Sequence, residues 1–122
     1  MVSAVSNINM LSQKKIIEEY TLPDANLIKN KRIILYGAGK VGQAYYKQII
    51  NNQICEVVLW VDKNPKGENV SEVSKILKTK YDVIIIAVLE KMLFEHIKNE
   101  LCEQGIDEGK IIWQVPKILV DV

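Results

Sequence analysis

The residues that could do chemistry are concentrated in one hexamer, Gly37-Ala38-Gly39-Lys40-Val41-Gly42, which follows an apolar run and opens an amphipathic one. A G-x-G-x-x-G pattern in that setting suits a phosphate, because each glycine has its own geometric task. Gly37 permits a sharp turn off a strand, Gly39 lets a phosphate approach the backbone with no Cβ in the way, and Gly42 allows close packing of the helix. Unpaired N–H groups at the helix start, around Gly39, Lys40 and Val41, would then face a diphosphate. Asp62 ends the next apolar run about 20 residues after Gly42, where a carboxylate accepts hydrogen bonds from ribose hydroxyls and repels a 2′-phosphate. NAD is therefore expected over NADP, although the neighbouring Lys63 could reach a 2′-phosphate. Ala38 inside the loop, and Ala87 and Val88 at the end of a later apolar run, complete the candidate cofactor-binding set. The same residues also admit a plainer arrangement: a tight turn without ligand, Asp62 capping a loop and Lys63 solvated.

Other catalytic equipment is thin. A Walker A loop needs Lys and then Ser or Thr after its last glycine, whereas Gln43 and Ala44 follow Gly42, so the magnesium and phosphate grips are missing. Tyr36 and Lys40 satisfy a Y-x-x-x-K count but straddle the glycine loop instead of sharing a helix turn. Methyltransferases with a methionine-derived cofactor want an acid where Tyr36 stands and a glycine where Val41 stands. His96, the single histidine, lies beside Glu95 and one turn before Glu100, which reads as a solvated helix face. With no Cys/His cluster, no metal site is expected. Tyr45, Tyr46, Trp60 and the Met92-Leu93-Phe94 run read as packing.

Repeated strand-and-helix units must position the loop. RIILY from Arg32, EVVLWVD ending on Asp62, YDVIIIAV and KIIWQV are short apolar runs bounded by turn residues, as in strands buried on both faces. Helical spacing follows at Val41, Ala44, Tyr45 and Ile49, and again at Leu93, Ile97 and Leu101, with Gly105 just past the helix end. Between them, Ser71 is placed as the N-cap of a short helix carrying Val73, Ile76 and Leu77. Pro65 and Gly67 mark a loop, and PKILVDV reads as an edge strand or tail. Strand alternating with helix predicts an α/β fold: a three-layer half domain with a parallel sheet of about four strands. Counting strands from Arg32, the expected order is 3-2-1-4. The crevice would then lie between the first and fourth strands, lined by Trp113-Gln114-Val115. Residues 1–30 read as a helical lead-in or linker, with Met10, Ile17 and Tyr20 near one face, Ile16 widening the stripe, and turns at Pro23, Asp24 and Asn26. Residues 31–122 read as the domain.

Size and charge narrow the field. At 122 residues the chain is one domain, too short for a complete two-half dinucleotide-binding domain plus a substrate domain. With 48% hydrophobic and 25% charged residues it has the composition of a globular core rather than of a disordered chain. The net charge of +1 gives no pull toward nucleic acid or anionic lipid. Cys55 and Cys102 lie far apart with no C-x-x-C motif, so both are expected reduced and the protein cytoplasmic. The run from Val83 to Leu89 is far shorter than a membrane span.

The strings ILYGAGKVGQAYY, VVLWVDKNP, YDVIIIAV and GIDEGKIIW resemble the small Rossmann-type nucleotide-binding module of bacterial polysaccharide-biosynthesis proteins. Such modules accompany glycosyltransferases, nucleotide-sugar epimerase/dehydratases and sugar acyltransferases. The resemblance covers residues from about Lys31 to Trp113. It implies a Rossmann-like fold that binds NAD or a nucleotide sugar at Gly37–Gly42 and Asp62, without a metal. Chemistry would belong to a partner glycosyltransferase or other sugar-modifying domain. Epimerases carry a helix-borne Tyr/Lys pair and a sugar domain, both missing here. Two alternatives stand beside this expectation. One is an oxidoreductase or epimerase that completes its site in a homodimer, and the other an interaction module with a vestigial glycine loop.

Overall fold

The computed structural model describes residues 17–121. Four parallel strands form the main sheet: β2 (Arg32–Tyr36), β3 (Glu56–Val61), β4 (Val83–Ile86) and β5 (Ile111–Ile112). Helix α1 (Lys40–Asn51) follows β2, and α2 (Lys91–Glu103) follows β4. Strands β1 (Ile17–Thr21) and β6 (Lys117–Asp121) pair antiparallel as a separate two-stranded sheet. Ile17–Thr21 is thus a strand where a helical lead-in was expected, because it finds its backbone partners in the last strand of the fold. Met10 and Ile16 lie outside the described residues.

Alternation along the strands gives the sheet two apolar faces. Ile33, Leu35 and Ile85 pack with Tyr45 and Ile49 of α1. Ile34, Tyr36, Ile84 and Ile86 pack with Ile97 and Leu101 of α2 and with Ile76 of the 3-10 segment Val73–Lys78. The Ile and Leu side chains at the centre of β2 and β4 are fully buried, each worth about 1.5–3 kcal/mol relative to exposure. Leu22 and Ile28 are buried in the same cluster as Ile33 and Tyr45. Gln114 fastens that lead-in segment by accepting from the Asp24 N–H (2.8 Å) and donating to the Asp24 carbonyl (2.8 Å).

The parallel sheet agrees with the sequence expectation, but its order does not. The strands lie β3-β2-β4-β5, which in the earlier count from Arg32 is 2-1-3-4 and not 3-2-1-4. Burial explains the difference. β4 carries Ile84, Ile85 and Ile86 with no exposed surface, whereas β3 begins on exposed Glu56 and is half-buried along most of its length. A wholly apolar strand at a sheet edge would leave apolar surface and unpaired backbone open to water, so it takes a central place. The order reverses between β2 and β4, and that is where the crevice falls. Trp113-Gln114-Val115 follows β5 and so lies one strand away from that reversal, rather than on the strand beside it. β5 is also shorter than expected, and Ser71 caps no helix. Its N–H donates to the Trp60 carbonyl (2.7 Å) and its carbonyl accepts from the Asp62 N–H (3.2 Å), extending the sheet beside β3. Among the described residues, no helix is long and apolar enough to cross a membrane.

Candidate functional site

The glycine loop leaves β2 at the crevice. Gly37 has φ +117°, a backbone that L side chains rarely adopt, and a Cβ there would lie 2.9 Å from the Ala87 carbonyl oxygen at the end of β4. The Gly37 N–H donates to the Val61 carbonyl (2.8 Å), and the Ala87 N–H donates to the Tyr36 carbonyl (2.8 Å). The turn is thereby bound to both neighbouring strands. Gly42 is tighter: a Cβ on it would lie 1.9 Å from the Gly37 oxygen. The first turn of α1 is folded back directly onto the start of its own loop.

Gly39 differs from both. It is exposed, and a Cβ there would meet no atom within 4 Å. It is also the N-cap of α1, with no side-chain cap and no acidic residue in the first turn. Among the described residues, the N–H groups of Gly39, Lys40, Val41 and Gly42 have no acceptor, the first bond of the helix being Gln43 N–H to the Gly39 carbonyl (2.9 Å). Four unpaired donors thus mark the positive end of a 12-residue helix, with open space at Gly39 and with Val41 and Gly42 buried behind it.

Asp62 reaches the loop from β3. One carboxylate oxygen accepts from the Ala38 N–H (2.8 Å) and the other from the Asn64 N–H (2.8 Å), so the acid ties the glycine loop to the following loop. Each oxygen retains a lone pair for a further donor. Trp60, read from the sequence as packing alone, also holds the loop. Its ring stacks on Tyr46 with centroids 4.3 Å apart, and its indole N–H donates to the Gly37 carbonyl (2.7 Å). The available signal was spacing, since Trp60 stands two residues before Asp62 on a strand. Gln43 completes the loop by donating to the Ala38 carbonyl (2.9 Å). Beside these groups lies a cleft of about 280 Å³ walled by Ala38, Gln43, Trp60 and the 66–70 loop.

Lys63 turns away from this cleft. Its ammonium sits 2.6 Å from Glu100 on α2, and His96 lies 3.6 Å from the other oxygen of that carboxylate. Hydrogen bonding from Lys63 holds the Glu100 carboxyl below its ordinary value, against partial desolvation. Tyr36 is buried under the same groups, and its phenol is pushed up to about 12 by burial first, then by Glu100 and Asp62. At neutral pH it is a neutral hydroxyl. The Val88 carbonyl is taken by the Trp113 indole (2.9 Å), whose ring stacks on Phe94. The structure thus brings Gly37–Gly42, Asp62 and Ala87 to one end of the sheet, with Val88 held by Trp113 and Lys63 by α2.

Comparison with known proteins yields a family model described as C2185-like, N-terminal, which matches residues 29–112. That range includes the main sheet, the glycine loop, Asp62, Ala87 and Val88. No curated protein matches the chain.

Proposed function

The chain belongs to the C2185-like N-terminal family, and we propose that it is a Rossmann-like nucleotide-binding module taking NAD or a UDP-sugar at the glycine loop. Its setting is cell-surface polysaccharide or nucleotide-sugar metabolism, with the reaction carried out by a separate sugar-modifying domain such as a glycosyltransferase. The observation that carries the reading is the row of four unpaired N–H groups from Gly39 to Gly42, opening at a glycine with no atom above it. A diphosphate satisfies those donors and complements the helix dipole. The remaining lone pairs of Asp62 can accept from ribose hydroxyls, and the acid disfavours a 2′-phosphate.

Titration calorimetry against NAD, NADP and UDP-sugars tests the proposal. NAD or a UDP-sugar should bind at micromolar to millimolar concentration, and absence of binding to all of them at millimolar concentration overturns it. Gly39→Val should fold normally, because its Cβ enters open space. It should lose at least about 2 kcal/mol of binding, roughly thirtyfold, since the branched side chain stands where the phosphate must approach.

A further inference from the structure

We infer that Trp60 is a positioning residue that locks the orientation of a single peptide plane, the one joining Gly37 to Ala38, and so aims the unpaired N–H groups that follow it. The inference deepens the phosphate-binding reading and rests on it for its functional consequence. That plane presents the Gly37 carbonyl on one edge and the Ala38 N–H on the other. Both are held from β3: the carbonyl by the Trp60 indole N–H at 2.7 Å, the N–H by Asp62 at 2.8 Å. The two grips have opposite polarity. Rotating the plane by half a turn would place the carbonyl against a carboxylate and the N–H against an indole N–H, so both contacts become repulsive together.

A glycine at this position needs such a lock. The orientation of this plane is set by ψ of Gly37 and φ of Ala38, and at φ +117° a residue without a Cβ tolerates a wide range of ψ, so its own backbone does not choose between the two orientations. The neighbouring groups supply the choice. Trp60 is itself braced by its stack on Tyr46, with an interplanar angle of 12°. The Gly37 oxygen is then held close over Gly42, which fixes the start of α1 relative to the loop. Asp62 alone would leave the carbonyl edge free.

Trp60→Phe removes the donor and retains an aromatic ring for Tyr46. Two measurements read the consequence, one of them without ligand. In the free protein, amide hydrogen exchange at Ala38 should accelerate at least about tenfold, because its acceptor geometry depends on the plane's orientation. Calorimetry should show NAD affinity reduced about tenfold. Ile106→Val, in the core cluster on the other face of the sheet, serves as the stability control and should leave both readouts at wild-type values. Unchanged Ala38 exchange in Trp60→Phe overturns the inference whether or not nucleotide binds. Equal weakening of NAD binding by Ile106→Val at the same loss of Tm also overturns it, since the role would then be generic stability. If the wild-type chain binds none of the nucleotides, the nucleotide reading fails while the exchange result still decides the lock.

Discussion

The two ends of the parallel sheet make opposite use of space and polarity. The larger cleft, about 470 Å³, lies at the N-terminal end of the strands, walled by Asn30–Arg32, Ile49, Ile50 and Gln53–Glu56. Its backbone is largely self-satisfied: Asn30 N–H donates to Ile54, Lys31 to Ile28, Ile54 to Ile49 and Glu56 to Lys31. Arg32 is paired with Asp82. The cleft beside the glycine loop is smaller, about 280 Å³, yet this end holds the positive-φ glycine, the closest backbone approach and the row of unpaired donors. Recognition follows unsatisfied, pre-oriented groups rather than empty volume. The end that looks less like a pocket is the one where we propose that an anion binds.

The sharpest way to break this comparison is Gly42→Ala. Its Cβ would lie 1.9 Å from the Gly37 oxygen, and that oxygen cannot retreat while Trp60 and Val61 hold its residue. Urea denaturation should show a loss of about 3 kcal/mol or more, as for other overpacked sites with no room to relax. A loss under about 1 kcal/mol would mean that the loop is not closely fitted and that the contrast between the two ends is wrong.

A paired test comes next in size, because each end has an aspartate that accepts from the backbone of β2 or its loop. Asp62 serves Ala38 and Asn64, and Asp82 serves Arg32. In Asp62→Asn one of the two N–H groups must face an amide NH₂ instead of an oxygen, costing about 1–3 kcal/mol. Asp82→Asn should lose less, because its side chain and its Arg32 partner are both solvated. It should also differ from wild type in pH dependence. The Arg32 backbone N–H, followed by the Arg32 side chain, holds the Asp82 carboxyl below its ordinary value. A depressed carboxylate contributes stability above its unfolded pKa and loses it as pH falls through the folded one. Acid titration of stability should therefore be flatter in Asp82→Asn than in wild type. An Asp82→Asn loss as large as that of Asp62→Asn would erase the distinction between the ends.

Much of this contrast was readable in the residues. Strands β2, β3 and β4, both helices, the loop and Asp62 were visible because apolar period and glycine placement are local signals. Strand order was misread because it depends on which strand is buried on both faces, although the contrast between VIII and a run beginning on Glu56 held the clue. The β1–β6 pairing joins the two ends of the described chain, and no local pattern in IEEYT announces a partner so distant in sequence. Ser71 was misplaced for a related reason: a serine before an apolar run suits a helix cap, but here its backbone was claimed by the sheet edge. The second role of Trp60 is not a local signal either, because packing accounts for an aromatic residue on a strand and only the three-dimensional loop shows where its N–H goes.

The smallest predicted effect has the opposite sign and belongs to the N-terminal end. Gln53, on the wall of the larger cleft, is held at φ +51° just beyond the C-terminal end of α1. Asn30, across the same cleft, sits at φ +62°, a conformation that asparagine tolerates better than a longer side chain does. Gln53→Gly should therefore stabilise the fold by about 0.5–1 kcal/mol, the relief of left-handed strain exceeding the added entropy of an unfolded glycine. Urea denaturation measures it, and nucleotide affinity should not change, because this residue is at the far end of the sheet. A destabilised Gln53→Gly would show that the side chain contributes more than its strain removes. A weakened nucleotide affinity would show that the two ends are coupled, and the comparison would then describe one site rather than two.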